Sequence, residues 1–146
     1  MKRIAVVVGL LSLSATVWAD SPWIGTWVQR EGILSMTVEE TGNSLKFTYK
    51  VVGPNAPPGN LMTIVSQLDG KDTPVLIDGK PTGQTTAIRR IDSHHTLTIL
   101  KFQGTETGIS KSEISSDGKV LRVDNDNKVS GPNGMAGKST QYWDKK

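Results

Sequence analysis

The 146-residue chain contains no cysteine. That single absence excludes disulfides, thiolate nucleophiles and cysteine-ligated zinc, so the fold must hold by packing and hydrogen bonding alone. Aromatic residues are scarce, at 5% of the chain: four Trp, two Tyr and two Phe. A strong charge of either sign is also missing. There are 17 basic and 14 acidic residues, and two of the basic ones, Lys2 and Arg3, stand at the extreme N-terminus. The remaining 15 against 14 carry no basic footprint for nucleic acid and no charge run for a membrane surface.

Long apolar runs are limited to one, "IAVVVGLLSL" over 4–13. It follows Lys2-Arg3 and leads into "SATVWA", where Val17 and Ala19 precede an expected cut before Asp20. Charge, length and cleavage chemistry describe a secretory signal peptide. The run is too short to cross about 30 Å of hydrocarbon, and no cysteine follows it to take a lipid. The expectation is a leader over 1–19, a single domain over 20–146, no membrane anchor, and a periplasmic or secreted location. A domain of this size buries about two-thirds of its unfolded surface, enough for a core without staples.

What the chain does have is β-branched residues, threonines and regularly spaced turn clusters, with no convincing helix. That pattern predicts an all-β sandwich or barrel. Ten strands are predicted, over 23–30, 33–40, 45–52, 61–68, 73–78, 85–92, 96–103, 107–115, 120–125 and 139–144. Leu34, Met36 and Val38 alternate with Ser35, Thr37 and Glu39; Leu45, Phe47, Tyr49 and Val51 alternate with Lys46, Thr48 and Lys50. Alternation of period two means one buried and one wet face per strand. "DGK" recurs at 69, 78 and 117, and Asp-Gly is a strong hairpin-turn signal. Short links favour a meander, and a meander with many edges is best closed. The expected fold is therefore an up-and-down antiparallel barrel of about eight to ten strands, with a two-sheet sandwich as the alternative.

"WIGTW" (23–27) places Gly25-Thr26-Trp27 on the first strand. This resembles the Gly-x-Trp signature of lipocalins and fatty-acid-binding barrels. "DGKDTPV" (69–75), "RRID" (89–92), "SSDGKVL" (115–121) and "QYWD" (141–144) follow in the same order as in small secreted bacterial lipocalin-like proteins. The resemblance implies that Trp27 plugs one end of the barrel under a basic side chain from a late strand, with Arg122 as the candidate. It implies also that Gly25 permits close approach of another backbone. The usual lipocalin helix and cysteines are missing, and the activity of such proteins is mostly unassigned.

A barrel of this kind is either filled by side chains or holds one small ligand. Candidate ligand-binding residues are Trp27, Met36, Phe47, Tyr49, Met62, Ile64, Arg90, Phe102, Arg122 and Tyr142. Ile88 and Leu100 are further interior candidates. An inward Arg90 or Arg122 would require a carboxylate, from the protein or from a ligand; the resemblance implies a lipid carboxylate held by an Arg and a Tyr, here Arg122 with Tyr142 or Arg90 with Tyr49. The opposite orientation, with both arginines in solvent, follows from the rarity of buried arginine. His94-His95 sits in a turn without nearby ligands, and "DNDNK" (124–128) lacks the glycine and glutamate of a calcium loop, so no metal or other cofactor is expected. No nucleophile elbow or phosphate loop is present, so the chain is not expected to be an enzyme. The expected function is binding of a small hydrophobic, amphipathic or carboxylate-bearing ligand. The alternative is a filled-barrel secreted interaction module whose loops contact a protein partner, such as an envelope enzyme that it inhibits. "GPNAPPGN" and "VSGPNGMAGK" are the loops expected to flank the open mouth.

Overall fold

The computed structural model describes Trp18, residues 20–130 and residues 135–146. The expected leader, apart from Trp18, lies outside the described residues, as do positions 131–134 of the last loop.

All ten strands form. They are β1 (Gly25–Gln29), β2 (Leu34–Thr41), β3 (Ser44–Val51), β4 (Met62–Ser66) and β5 (Asp69–Ile77), then β6 (Lys80–Asp92), β7 (His95–Phe102), β8 (Thr105–Ile114), β9 (Val120–Asn127) and β10 (Gly137–Lys145). Each strand pairs antiparallel with its neighbour in sequence, and β1 pairs with β10, which closes the barrel. The seam places Trp27 opposite Lys145, Val28 opposite Asp144 and Gln29 opposite Trp143. The described residues contain no helix. A meander without a crossover has no need of one, because every link is short enough to run between adjacent strands.

The alternating residues sort largely as the sequence predicts, although Ser35, expected on the wet face, is buried too. Met36, Val38, Leu45, Phe47, Ile64 and Ser66 are buried, while Glu39, Lys50 and Val65 are exposed. Two of the three "DGK" turns also stand where expected. Asp78-Gly79, with φ of 48° and 79°, reverses β5 into β6, and Ile77 pairs directly with Lys80 across it. Asp117 holds the β8–β9 turn by accepting from Ser115 Oγ (2.6 Å) and from the Lys119 N–H (3.1 Å).

The first "DGK" is different. Asp69-Gly70-Lys71 lies inside β5, and the register against β6 slips between Asp69 and Asp72. The reversal is made one step earlier, around Leu68 (φ 55°), whose side chain is buried and whose N–H bonds Ser66 Oγ at 3.0 Å. Gly70 (φ 80°) absorbs the extra residue of the bulge, a role that left-handed glycine fills as readily as a turn. "GKPTGQ", read as a link, is the first half of β6. Its Pro81 pairs with Leu76 of β5, beside a second register slip between Pro74 and Leu76. There Thr82 Oγ1 donates to the Val75 carbonyl (2.9 Å) and accepts from the Gln84 N–H (3.2 Å), replacing ladder bonds.

One end of the barrel is plugged by the segment that precedes β1. Trp27 is fully buried, and Trp18 and Trp23 are 5% and 3% exposed. The Trp27 indole donates to the Trp23 carbonyl at 3.0 Å, the Trp23 indole to the Ser93 carbonyl at 3.0 Å, and the Trp18 indole to the Asn43 carbonyl at 3.0 Å. Trp18 and Trp23 are thus tied to turns across the barrel end and Trp27 to the plug segment itself, which satisfies the one polar atom each buried indole carries. The β2–β3, β4–β5, β6–β7 and β8–β9 links share this end. The β1–β2, β3–β4, β5–β6, β7–β8 and β9–β10 links share the other. "GPNAPPGN" and the described part of "VSGPNGMAGK" therefore both stand at the unplugged end, together with exposed Ile33, Leu61, Ile77, Phe102, Val129 and Met135.

Candidate functional site

Ten strands enclose a wider interior than eight, since barrel diameter grows with strand number. Side chains do not fill it. A cavity of about 350 Å³ remains above the plug, within the range of small-molecule sites. Its two sides differ in chemistry. The β2–β5 side supplies Leu34, Met36, Phe47, Tyr49, Met62, Ile64 and Val75. The β6–β10 side interleaves Ile88, Leu100, Leu121, Val123 and Trp143 with Gln84, Thr86, Thr96, Thr98, Ser110, Ser112, Asn125 and Gln141. Trp23 forms the floor. Among the described residues no Asp, Glu, Lys, Arg or His lines it.

Some of the polar lining is bonded within the wall. Ser110 Oγ donates to Asn125 Oδ1 at 2.6 Å, and the Thr86 and Thr73 hydroxyls lie 3.3 Å apart. Six further polar side chains, of Tyr49, Gln84, Thr96, Thr98, Ser112 and Gln141, make no hydrogen bond to another described residue. None of them is sealed from solvent and unbonded, so their polar atoms border the cavity space. Tyr49 packs edge-on against Trp143, with ring centroids 6.2 Å apart at 74°. Burial pushes its phenol up to about 12, because the phenolate would lose its hydration. The cavity is therefore uncharged at neutral pH.

Five of the ten sequence-predicted residues line this space: Met36, Phe47, Tyr49, Met62 and Ile64. The interior candidates Ile88 and Leu100 do so as well. Trp27 is buried but lies within the plug, and its neighbour Trp23 takes the lining position. The other four predicted residues need correction. Arg122 and Tyr142 are cross-strand neighbours, as their proposed pairing required, but on the outer face. There Arg122 pairs with Asp124 (3.2 Å), and Arg30 covers the Tyr142 ring at 5.3 Å. Strand parity is the reason: Gln141 and Trp143 point inward, so Tyr142 between them points out. Arg90 keeps the parity of Ile88, but at the plugged end of β6, where its guanidinium rests 5.4 Å from the Trp18 ring and stays exposed. It does not meet Tyr49. Phe102 ends β7 at the unplugged end, 49% exposed, and lines no part of the cavity.

The plug's basic partner is also corrected. Lys145, not Arg122, lies over Trp27, with Nζ 5.0 Å from the ring centroid and donating to the Pro22 carbonyl at 3.0 Å. Gly25 makes this possible. A Cβ there would come within 2.7 Å of Lys145 Cε, and its φ is 136°. The close approach is to a side chain rather than to backbone.

Sequence reasoning missed the polar half of the lining. Threonine and serine at inward parity on β7 and β8 look like the solvent face of a half-wet strand. The available signal was Trp143, whose bulk sets the inward parity of β10 and, through the register Trp143–Leu121–Ile114, that of β9 and β8.

His94 and His95 close the β6–β7 turn on the outside. Asp92 accepts from His95 Nδ1 at 2.7 Å and from the His94 N–H at 2.8 Å. This holds the Asp92 carboxyl below its ordinary range and lifts His95 above its own. "DNDNK" forms the end of β9, with Asn125 and Asn127 buried and Asp126 exposed. Among the described residues no three His, Cys, Asp or Glu side chains converge as a metal site.

Comparison of the chain with models of known protein families and with curated proteins finds no match to either.

Proposed function

We propose that this barrel is an exported binding protein that carries one small apolar or amphipathic ligand in its interior. The observation that carries this reading is the cavity of about 350 Å³, closed below by Trp23 and lined by side chains on every strand from β2 to β10. An interior kept only for stability gains from being filled, since each unfilled methyl-sized void costs about 1 kcal/mol. Rigid aromatic and branched side chains give shape, and a few convergent polar groups give orientation, as in small-molecule sites generally. The leader-like start of the chain supports action in the periplasm or outside the cell; cleavage before Asp20 would remove Trp18 and leave the plug to Trp23 and Trp27.

The test is native mass spectrometry of protein purified from its own host. The expected result is a non-covalent adduct of a single small molecule. Its occupancy should fall sharply in Val123→Trp, which fills the cavity from β9. A bare mass for both proteins counts against the reading.

A second reading, an interaction module acting through its loops, is supported by the unplugged end. There every connection carries or adjoins an exposed apolar side chain, up to Met135 at 78% exposed. Activity that survives Val123→Trp and fails on charged substitution of Ile33 or Met135 would favour this second reading.

A further inference from the structure

We infer that the ligand is uncharged, with an alcohol, ester or amide group along one side of an apolar body. This rests on the binding reading above and narrows it to a chemical class.

Three observations carry it. The first is that, among the described residues, no lining side chain bears a charge. Arg90 and Arg122, the groups that would have matched a carboxylate, both lie outside the cavity. An anion brought inside would exchange its hydration for an interior without countercharge, which disfavours the ionised form. The second is the character of the unpartnered groups. Thr96, Thr98 and Ser112 carry hydroxyls, and Gln84 and Gln141 carry amides. Each of these both donates and accepts. A hydroxyl, ester or amide can answer such a wall from either side. A carboxylate accepts only and an ammonium donates only, so each would leave half the wall's capacity unmatched. The third is placement. The unpartnered hydroxyls of Thr96, Thr98 and Ser112 lie on β7 and β8, in register with one another through the pairs Thr96–Ser112 and Thr98–Ser110. Across from them stand Met36, Phe47 and Ile64, which offer no polar atom but the methionine sulfur. Tyr49 is the one hydroxyl on that side, and it stays protonated.

The test uses three probes with the same ten-carbon chain: decanol, decanoate and decylamine. Binding is followed by tryptophan fluorescence, to which Trp23 and Trp143 report from the lining. The expected result at pH 7.5 is saturable binding of decanol, with decanoate and decylamine weaker by ~100-fold. The gap to decanoate should narrow toward pH 5, as its carboxyl approaches the ordinary carboxylic range and enters neutral. Thr98→Val with Ser112→Ala should weaken decanol binding by ~10-fold, the loss of about one or two hydrogen bonds, without changing the thermal transition by more than a few degrees. Decanoate or decylamine binding as tightly as decanol would overturn the uncharged class while leaving the cavity reading intact. Failure of all three probes to bind overturns both.

Discussion

Tyr49 shows how much one side chain's surroundings decide. Its ring is packed on Trp143 and its hydroxyl borders the cavity, so it resists ionisation up to about 12. In the unfolded chain the same phenol ionises near 10. The folded state therefore binds the proton more tightly, and the stability this provides is complete below pH 10. It is lost as pH rises from there toward the folded value, amounting to roughly 2–3 kcal/mol at the end of that window. Alkaline denaturation should accordingly be shifted upward in Tyr49→Phe, which has no phenol to ionise; identical alkaline midpoints for the two proteins would contradict a buried hydroxyl. The inward position of Tyr49 was legible from its alternation with Lys50 and Thr48. That of Trp143 was not used, although a ring so large on a strand of polar residues fixes which face is dry. Arginine misled for the converse reason. Its parity can be inward while its charge escapes at a strand end, as Arg90 does over Trp18.

At the scale of strands and turns, the positions of all ten elements were readable because alternation and turn chemistry agree almost everywhere. They part at "DGK". The same three residues make a two-residue reversal at 78–80 and a bulge at 69–71, and only the pairing partner distinguishes them. Asp78 is further committed by accepting from the Asn60 and Leu61 N–H groups at 3.1 and 2.9 Å, which ties the β3–β4 loop to the β5–β6 turn. Gly79 adopts φ 79° with nothing within 4 Å of where a Cβ would stand. Substitution there is a question of backbone preference alone. Gly79→Ala should cost about 1 kcal/mol and Gly79→Asn less, since asparagine tolerates the left-handed region. Urea titration of the two variants checks the order, and an alanine variant as stable as the parent would remove the primed-turn geometry.

Over the whole molecule, closure was predictable from the number of strands and the shortness of their links, whereas the residual cavity was not. Whether a barrel is filled depends on the sum of inward volumes against its diameter, and Thr, Ser and Val along β7–β9 leave that sum short. The seam concentrates much of what holds the ring shut. Arg30 and Asp144 form a two-point ion pair across it (2.8 and 3.2 Å); with both groups largely exposed, solvent and salt screen it and its contribution is small. Lys145 contributes more by lying over a fully buried ring. Lys145→Met keeps the stem but loses the cation and its bond to Pro22, and should destabilise by about 1–2 kcal/mol in urea titrations. No change would mean that the stem alone seals the plug.

The order of strands around the ring matches their order along the chain, with the last laid beside the first. Topologically such a ring has no intrinsic beginning. The Lys146 N–H already bonds the Thr26 carbonyl at 2.9 Å, so a short peptide could join Lys146 to the segment that precedes β1. The polypeptide could then be reopened at a tight reversal such as Asp78-Gly79, and the circularly permuted sequence would spell the same architecture from a different starting letter.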